Sequence, residues 1–116
     1  MNPQRHLEFH ERQAAAMEEL MDALLPTIPA NWREARLALE VRYSPMTQTR
    51  AIQHRLTNPL TSEELRDFPD SLFAASTALH TVFTEYDQAW KRAVIELTYH
   101  ANGSFRQRKA NYTYDP

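Results

Sequence analysis

The sequence predicts an α+β fold of order α-β-β-α-β-β, a four-stranded antiparallel sheet with its helices on one face. Three observations lead there. Stretches with apolar residues at helical spacing alternate with stretches of period two. Each period-two stretch has one apolar and one polar face, which is the pattern of a strand packed on one side only. The two halves of the 116-residue chain also match without gaps at an offset of 58 residues: Trp32 with Trp90, Arg33 with Lys91, Ala35 with Ala93, Leu37 with Ile95 and Leu39 with Leu97. One such half leaves its apolar face bare, so two are needed to close a core. Residues 1–116 are therefore expected to form one domain, either by an internal αββ duplication (about 1–58 and 59–116) or by convergent strand patterning.

The elements follow in order. Asn2-Pro3 reads as an N-cap with proline at the first helical position. Phe9, Gln13, Met17, Leu20 and Leu24 follow at helical spacing, with Ala16 in the same stripe. The helix should stop near Pro26, whose ring cannot continue it. Pro29-Ala30-Asn31 turns the chain into a strand with Ala35, Leu37, Leu39, Val41 and Tyr43 on its core face. Glu34, Arg36, Ala38, Glu40 and Arg42 take the wet face. Ser44-Pro45 breaks this strand, and Met46 to Arg55 returns as a more polar one suited to a sheet edge.

Thr61-Ser62-Glu63-Glu64 has capping-box spacing. Leu65, Phe68, Leu72, Leu79, Val82, Phe83 and Tyr86 then mark a second helical face. Pro69 lies inside it, which predicts a short turn first and the main helix from about residue 69. After Trp90, the residues Ala93, Ile95, Leu97 and Tyr99 alternate as in the first strand. Asn102-Gly103 is a hairpin signal, and the last strand runs from Phe105 to Tyr114. Phe105 differs in parity from Ala110, Tyr112 and Tyr114, so a β-bulge between them is expected to bring both groups toward the core.

Composition narrows the function classes. The chain has no cysteine, which removes disulfides and thiolate metal sites, and a single glycine, Gly103. Phosphate-cradling loops need several glycines for close backbone approach, so P-loop and dinucleotide fingerprints are excluded. The N-terminal stretch Met1 to Glu11 is polar and lacks the basic-then-apolar order of a signal peptide. No apolar run nears the roughly 20 residues that span a bilayer. A cytoplasmic protein without membrane contact is the expectation.

The net charge of −2 hides a polarity. Residues 1–28 hold five acids and two bases, and residues 59–88 hold six acids and one base. The remaining segments hold four acids and ten bases. The helical layer should thus be acidic outside and the open sheet face mixed but basic. Arg36, Arg42 and Arg92 share the wet parity with Glu40 and Glu96, so cross-strand ion pairs take up part of that charge. With glutamates diluting the bases, no aromatic stacking run and an isoelectric point of about 6.2, direct nucleic-acid binding is not indicated.

Catalytic constellations are absent from the pattern. His6 and His10 are spaced i, i+4, a geometry that can hold a metal, but the run His-Leu-Glu-Phe-His lacks the zinc-protease order and sits in a polar first turn. No metal and no cofactor are expected. His54, His80 and His100 are scattered. Glu40 and Glu96 are equivalent positions of the two halves, yet arginines flank them, so ion pairing accounts for them better than acid–base chemistry. A protein-binding role without enzyme activity follows. The candidate docking residues are the acidic cluster Glu63, Glu64, Asp67 and Asp70 beside the irregular stretch Asn58-Pro59-Leu60-Thr61. The second choice is the wet-face set Arg36, Arg42 and Arg92.

The order of features resembles the YezG-like family of bacterial antitoxin and immunity proteins. The likeness rests on the helix ending in Leu25-Pro26-Thr27-Ile28-Pro29, the tryptophan and strand Trp32 to Val41, and later Trp90 with Val94-Ile95-Glu96-Leu97. The turn Asn102-Gly103-Ser104-Phe105 and the closing Tyr112-Thr113-Tyr114-Asp115 complete it, while residues 44–75 match nothing in the family. The resemblance implies a cytoplasmic protein that neutralises a cognate protein toxin by binding it. The toxin would be a nuclease, in a setting such as contact-dependent growth inhibition. A small adaptor or regulatory domain, or a small-ligand binder with a cavity between helices and sheet, are the alternative readings. The oligomeric state is not encoded in any pattern here.

Overall fold

The computed structural model describes residues 2–99 and 105–114, with residues 105–108 described by their backbone alone. The chain is α+β. Helix α1 (Pro3–Leu24) runs into a single 3-10 turn (Leu25–Thr27), followed by strands β1 (Glu34–Ser44), β2 (Thr49–Thr57) and β3 (Glu64–Leu65), helix α2 (Asp70–Glu85), β4 (Arg92–Tyr99) and β5 (Phe105–Thr113). The strands form one antiparallel sheet of order β3-β2-β1-β4-β5. No helix among the described residues is long and apolar enough to cross a membrane.

Local chemistry explains most boundaries. The Asn2 side chain accepts a hydrogen bond from the Arg5 amide at 2.7 Å, and Pro3 occupies the first turn, as an N-cap and N1 proline should. Pro26 diverts α1 into the 3-10 turn. Helix α2 starts just after Pro69, at Asp70. It ends in a Schellman motif: Asp87 N–H donates to the Thr84 carbonyl at 3.2 Å and Gln88 N–H to the Phe83 carbonyl at 2.8 Å. Asp87 holds φ +60° there, where glycine is usual.

The sheet has five strands rather than four. Thr61 to Glu64 do not cap a helix. Glu64 and Leu65 pair with Thr57 and Leu56 as the short strand β3, so Leu65 and Phe68 reach the core from an extended segment. The side chain of Thr61 accepts from the Glu63 amide, two residues on, rather than from the third residue of a helix. The reason lies in Asn58, which is 3% exposed. Its N–H donates to the Glu63 carbonyl, its carbonyl accepts from Thr61 and Ser62, and its Oδ1 accepts from the Leu60 amide. This knot closes a β-turn loop where the sequence pattern reads a helix start.

The core lies between the helices and one face of the sheet. Ala35, Leu37, Leu39, Ala93, Ile95 and Leu97 are buried from the sheet, facing Leu20, Leu24, Leu72, Leu79 and Phe83. Trp32 and Trp90 are both 1% exposed and close the entrance to the central strands. Tyr43 departs from the expected face pattern in effect, at 59% exposed. It keeps its parity, but β4 pairs with β1 only as far as Glu40, so the tip of the β1–β2 hairpin runs past the core.

Leu37 pairs directly with Ile95, the residue 58 positions on, so the register of the two central strands is symmetric about that pair. The outer strands do not keep the offset. Leu37 pairs with Leu56, whose counterpart 58 residues on is Tyr114, whereas Ile95 pairs with Ala110. The expected β-bulge is present. Glu96 pairs with Lys109 and Leu97 with Gln107, which leaves Arg108 as the extra residue. Ala110 and Tyr112 thereby pack against the core. The hairpin signal Asn102-Gly103 lies outside the described residues, as do His100 and Asp115.

Candidate protein-docking surface

The face of the sheet away from the helices carries the charges that the strand parity assigns to it. Arg36, Ala38, Glu40 and Arg42 stand on β1, and their ladder partners are Thr57, Arg55, Gln53 and Ala51 on β2. On the other side β4 supplies Glu96 opposite Arg36, Val94 opposite Ala38 and Arg92 opposite Glu40. A concavity of about 670 Å³ opens over this face, with Ala38 as its floor and Arg42, Arg55, Arg66 and Arg92 around it. The dip follows from side-chain length. Ala38 is a methyl group on the central strand, and the residues flanking it are long.

Ion pairs organise this face of the sheet. Arg36 meets Glu96 at 3.1 Å, Arg42 meets Glu40 at 3.4 Å, and Glu64 is shared by Arg55 at 2.7 Å and Arg66 at 3.8 Å. Arg42 also donates to Gln53 at 3.1 Å. The side chain of Arg92 makes no hydrogen bond or ion pair among the described residues. Glu40 and Glu96 are each held by an arginine at an open surface, which matches the ion-pair reading of those carboxylates.

The four acids of the predicted cluster are not brought together on a helix. Glu64 points to the sheet face and is occupied by its two arginines. Glu63 accepts the Trp32 indole N–H at 3.4 Å, which ties it to the edge of the core. Asp67 lies in the extended run before α2, and Asp70 is the first residue of that helix. Both are exposed and have no bonded partner among the described residues. By contrast Arg36, Arg42 and Arg92 share one surface, joined there by Arg55 and Arg66. Arg55 has the alternating position that marks it for this face. Arg66 carries no periodic signal, because it reaches the concavity from the segment that follows β3.

The histidines divide. His6 and His10 are exposed on α1 with their Nε2 atoms 3.0 Å apart, and the described residues contain no group of three potential metal ligands. His54 and His80 do have partners, contrary to their scattered appearance in the sequence. His54 lies under α2, with Nδ1 3.0 Å from the Ile52 carbonyl and Nε2 2.8 Å from the buried Ser76 hydroxyl. Phe68 and Phe73 pack against its ring. His80 Nε2 is 3.1 Å from the Trp90 carbonyl. Burial lowers the pKa of both rings, which favours the neutral form.

A second concavity, about 680 Å³, lies between α1 and β5 and is lined by Met17, Met21, Ala110 and Tyr112, with Glu18 and Lys109 at its rim. It opens to solvent. The exposed acids Glu8, Glu11, Glu18, Glu19 and Asp22 make the outer side of α1 acidic. Scanned against protein-family models and against curated proteins, the chain matches none.

Proposed function

We propose that this chain is an immunity or antitoxin protein that binds and neutralises a cognate protein toxin, a nuclease domain of the kind deployed in contact-dependent growth inhibition. The observation that supports it best is the open sheet face. It presents arginines and glutamates at fixed ladder positions around a 670 Å³ concavity, beside an acidic helical layer. Charges held in register by a rigid sheet suit specific recognition and fast association with a partner of matching pattern. The other ground for this reading is the resemblance in sequence to the YezG-like family, carried by Leu25-Pro26-Thr27-Ile28-Pro29, Trp32 and Trp90.

The cytoplasm is the compartment this reading requires, since the toxin acts there. Enzyme activity forms no part of it, nor does a metal or cofactor. A small-ligand binder is the second reading, favoured by the groove between α1 and β5.

The test is co-expression and co-purification with the product of the neighbouring upstream gene, which this reading expects to carry the toxin domain. The expected result is restored growth and a stoichiometric complex in gel filtration, and absence of any complex would overturn the reading. Within the complex, Glu63→Lys with Asp67→Lys separates the two candidate surfaces. If the acidic cluster docks on a basic nuclease cleft, the double variant should bind at least tenfold more weakly, with a marked salt dependence in the wild type. If the sheet face docks, it should bind as the wild type does.

A further inference from the structure

Resting on that reading, we propose that the concavity over Ala38 seats carboxylates, the Asp or Glu side chains of an acidic segment of the partner protein. Charge decides the class of occupant. Arg42, Arg55, Arg66 and Arg92 line the concavity against only two carboxylates, Glu40 and Glu64. Each guanidinium has five N–H donors. Glu64 divides its oxygens between Arg55 and Arg66, Glu40 engages Arg42, and Arg92 has no bonded partner among the described residues. Most of the donors therefore have no partner among the described residues, and planar forks of this kind pair best with carboxylates, two N–H groups to two oxygens.

Spacing and floor agree with an inserted acidic side chain. Arg55 and Arg92 stand on β2 and β4, on either side of β1, so their strands lie about 10 Å apart at the usual strand separation. That is room for one extended or looped segment between them. Ala38, half-buried, is the apolar floor, and a carboxylate brought down onto it is screened less by water than one at an open surface.

Nucleic acid fits less well. A phosphate backbone follows a track of unopposed cations, whereas Glu40, Glu64 and Glu96 interrupt the arginines on three strands of this face. Discrete side chains can settle between those glutamates, and a continuous polyanion cannot. The surface that meets this face is then an acidic one, not the phosphate-binding cleft of a nuclease, because like charges facing one another disfavour docking.

The chemistry is tested with a defined probe, an eight-residue Asp/Glu peptide, followed through the arginine Nε–Hε resonances of the labelled protein at low salt. The signals of Arg42, Arg55 and Arg92 should shift in a saturable way while that of Arg5 stays in place. No shift, or an equal shift of every arginine, would overturn the proposal. A single-stranded oligonucleotide that saturates the same signals more tightly than the peptide would also overturn it, by assigning the face to phosphates. The complex expected with the product of the neighbouring upstream gene supplies the second arm. Arg42→Gln with Arg92→Gln, which removes the two charges without setting carboxylates beside Glu40, should weaken it at least tenfold with a melting temperature close to that of the wild type. A wild-type complex that this variant forms equally well defeats the carboxylate seat alone. Failure of the wild-type protein to form any complex defeats the toxin-binding reading instead, and the peptide titration still judges the seat.

Discussion

Single residues carry conformational costs that a chain with one glycine cannot avoid. Gln48, Ser62 and Asp87 all adopt positive φ, between 53° and 66°, in the region where a Cβ crowds the following carbonyl at about 1–2 kcal/mol. Asp87 is the clearest case, since it fills the position after α2 that glycine usually takes. Its contact with Arg5 is a long 3.6 Å pair at an exposed surface, which contributes little. Asp87→Gly is expected to raise stability by about 0.5–1 kcal/mol, read as a higher urea midpoint at unchanged m. His54 makes a second prediction at this scale. Burial holds its pKa below the ordinary value near 6.5, so the unfolded chain binds the proton more readily than the folded one. The stabilisation is therefore present above pH 6.5 and lost as pH falls toward and through the lowered folded value. His80 acts in the same sense. Thermal melts from pH 7.5 to 5 should show a falling melting temperature, and His54→Gln should flatten that slope.

At the scale of the element, the loop from Asn58 to Glu63 decides how the middle of the chain is used. Four of its hydrogen bonds converge on the buried Asn58, two of them to its carbonyl, and they fold residues 58–65 into the turn and strand that carry Glu64 to the sheet face. Asn58→Ala removes the acceptor for the Leu60 amide, with an expected loss of about 1–3 kcal/mol. Asn58→Asp keeps an oxygen there and should retain most of the stability, which denaturant titration of the pair would show. The central strands behave differently, because their residues are held by packing. Leu39 and Leu97 are essentially fully buried on the core side of β1 and β4. Leu39→Ala or Leu97→Ala should each lose about 2–5 kcal/mol by leaving a cavity. Tyr43→Ala, at the projecting hairpin tip on the same strand parity, should change stability by less than about 0.5 kcal/mol.

On the scale of the whole molecule, two helices on one face of an antiparallel sheet leave the other face uncovered. Its arginines and glutamates pair partly with one another and leave Arg92 without a bonded partner among the described residues. The helices meanwhile put their acids outward, so the two sides of the molecule differ in charge. Binding through the sheet face should weaken as salt rises from about 50 to 300 mM, since exposed charges are screened beyond roughly one Debye length. Binding through an apolar groove such as that between α1 and β5 would change little over the same range. Isothermal titration at two salt concentrations distinguishes them.

Hydrophobic periodicity makes the order of the two helices and the four longer strands legible in the sequence, but not the short strand β3. The alternation in Ala35-Leu37-Leu39 and Ala93-Ile95-Leu97 is set by the two-residue repeat of a strand, and the N-cap at Asn2 and the helix stop at Pro26 are set within a few residues of chain. The same reach covered the wet-face parity of Arg36, Arg42 and Arg92, and even the bulge opposite Glu96. Beyond it lay everything that depends on partners distant in sequence. Thr61-Ser62-Glu63-Glu64 fits a helix cap by local spacing, but pairing with Leu56 and Thr57 and the burial of Asn58 make it a turn and a strand. His54 meets Ser76 because α2 packs on the sheet, and Glu63 meets Trp32 because the segment before β3 returns to the start of β1. Arg55 and Arg66 likewise join the concavity through ladder register and a shared Glu64. A local pattern records the face a side chain takes along its own element, whereas its neighbours are chosen by how the elements pack.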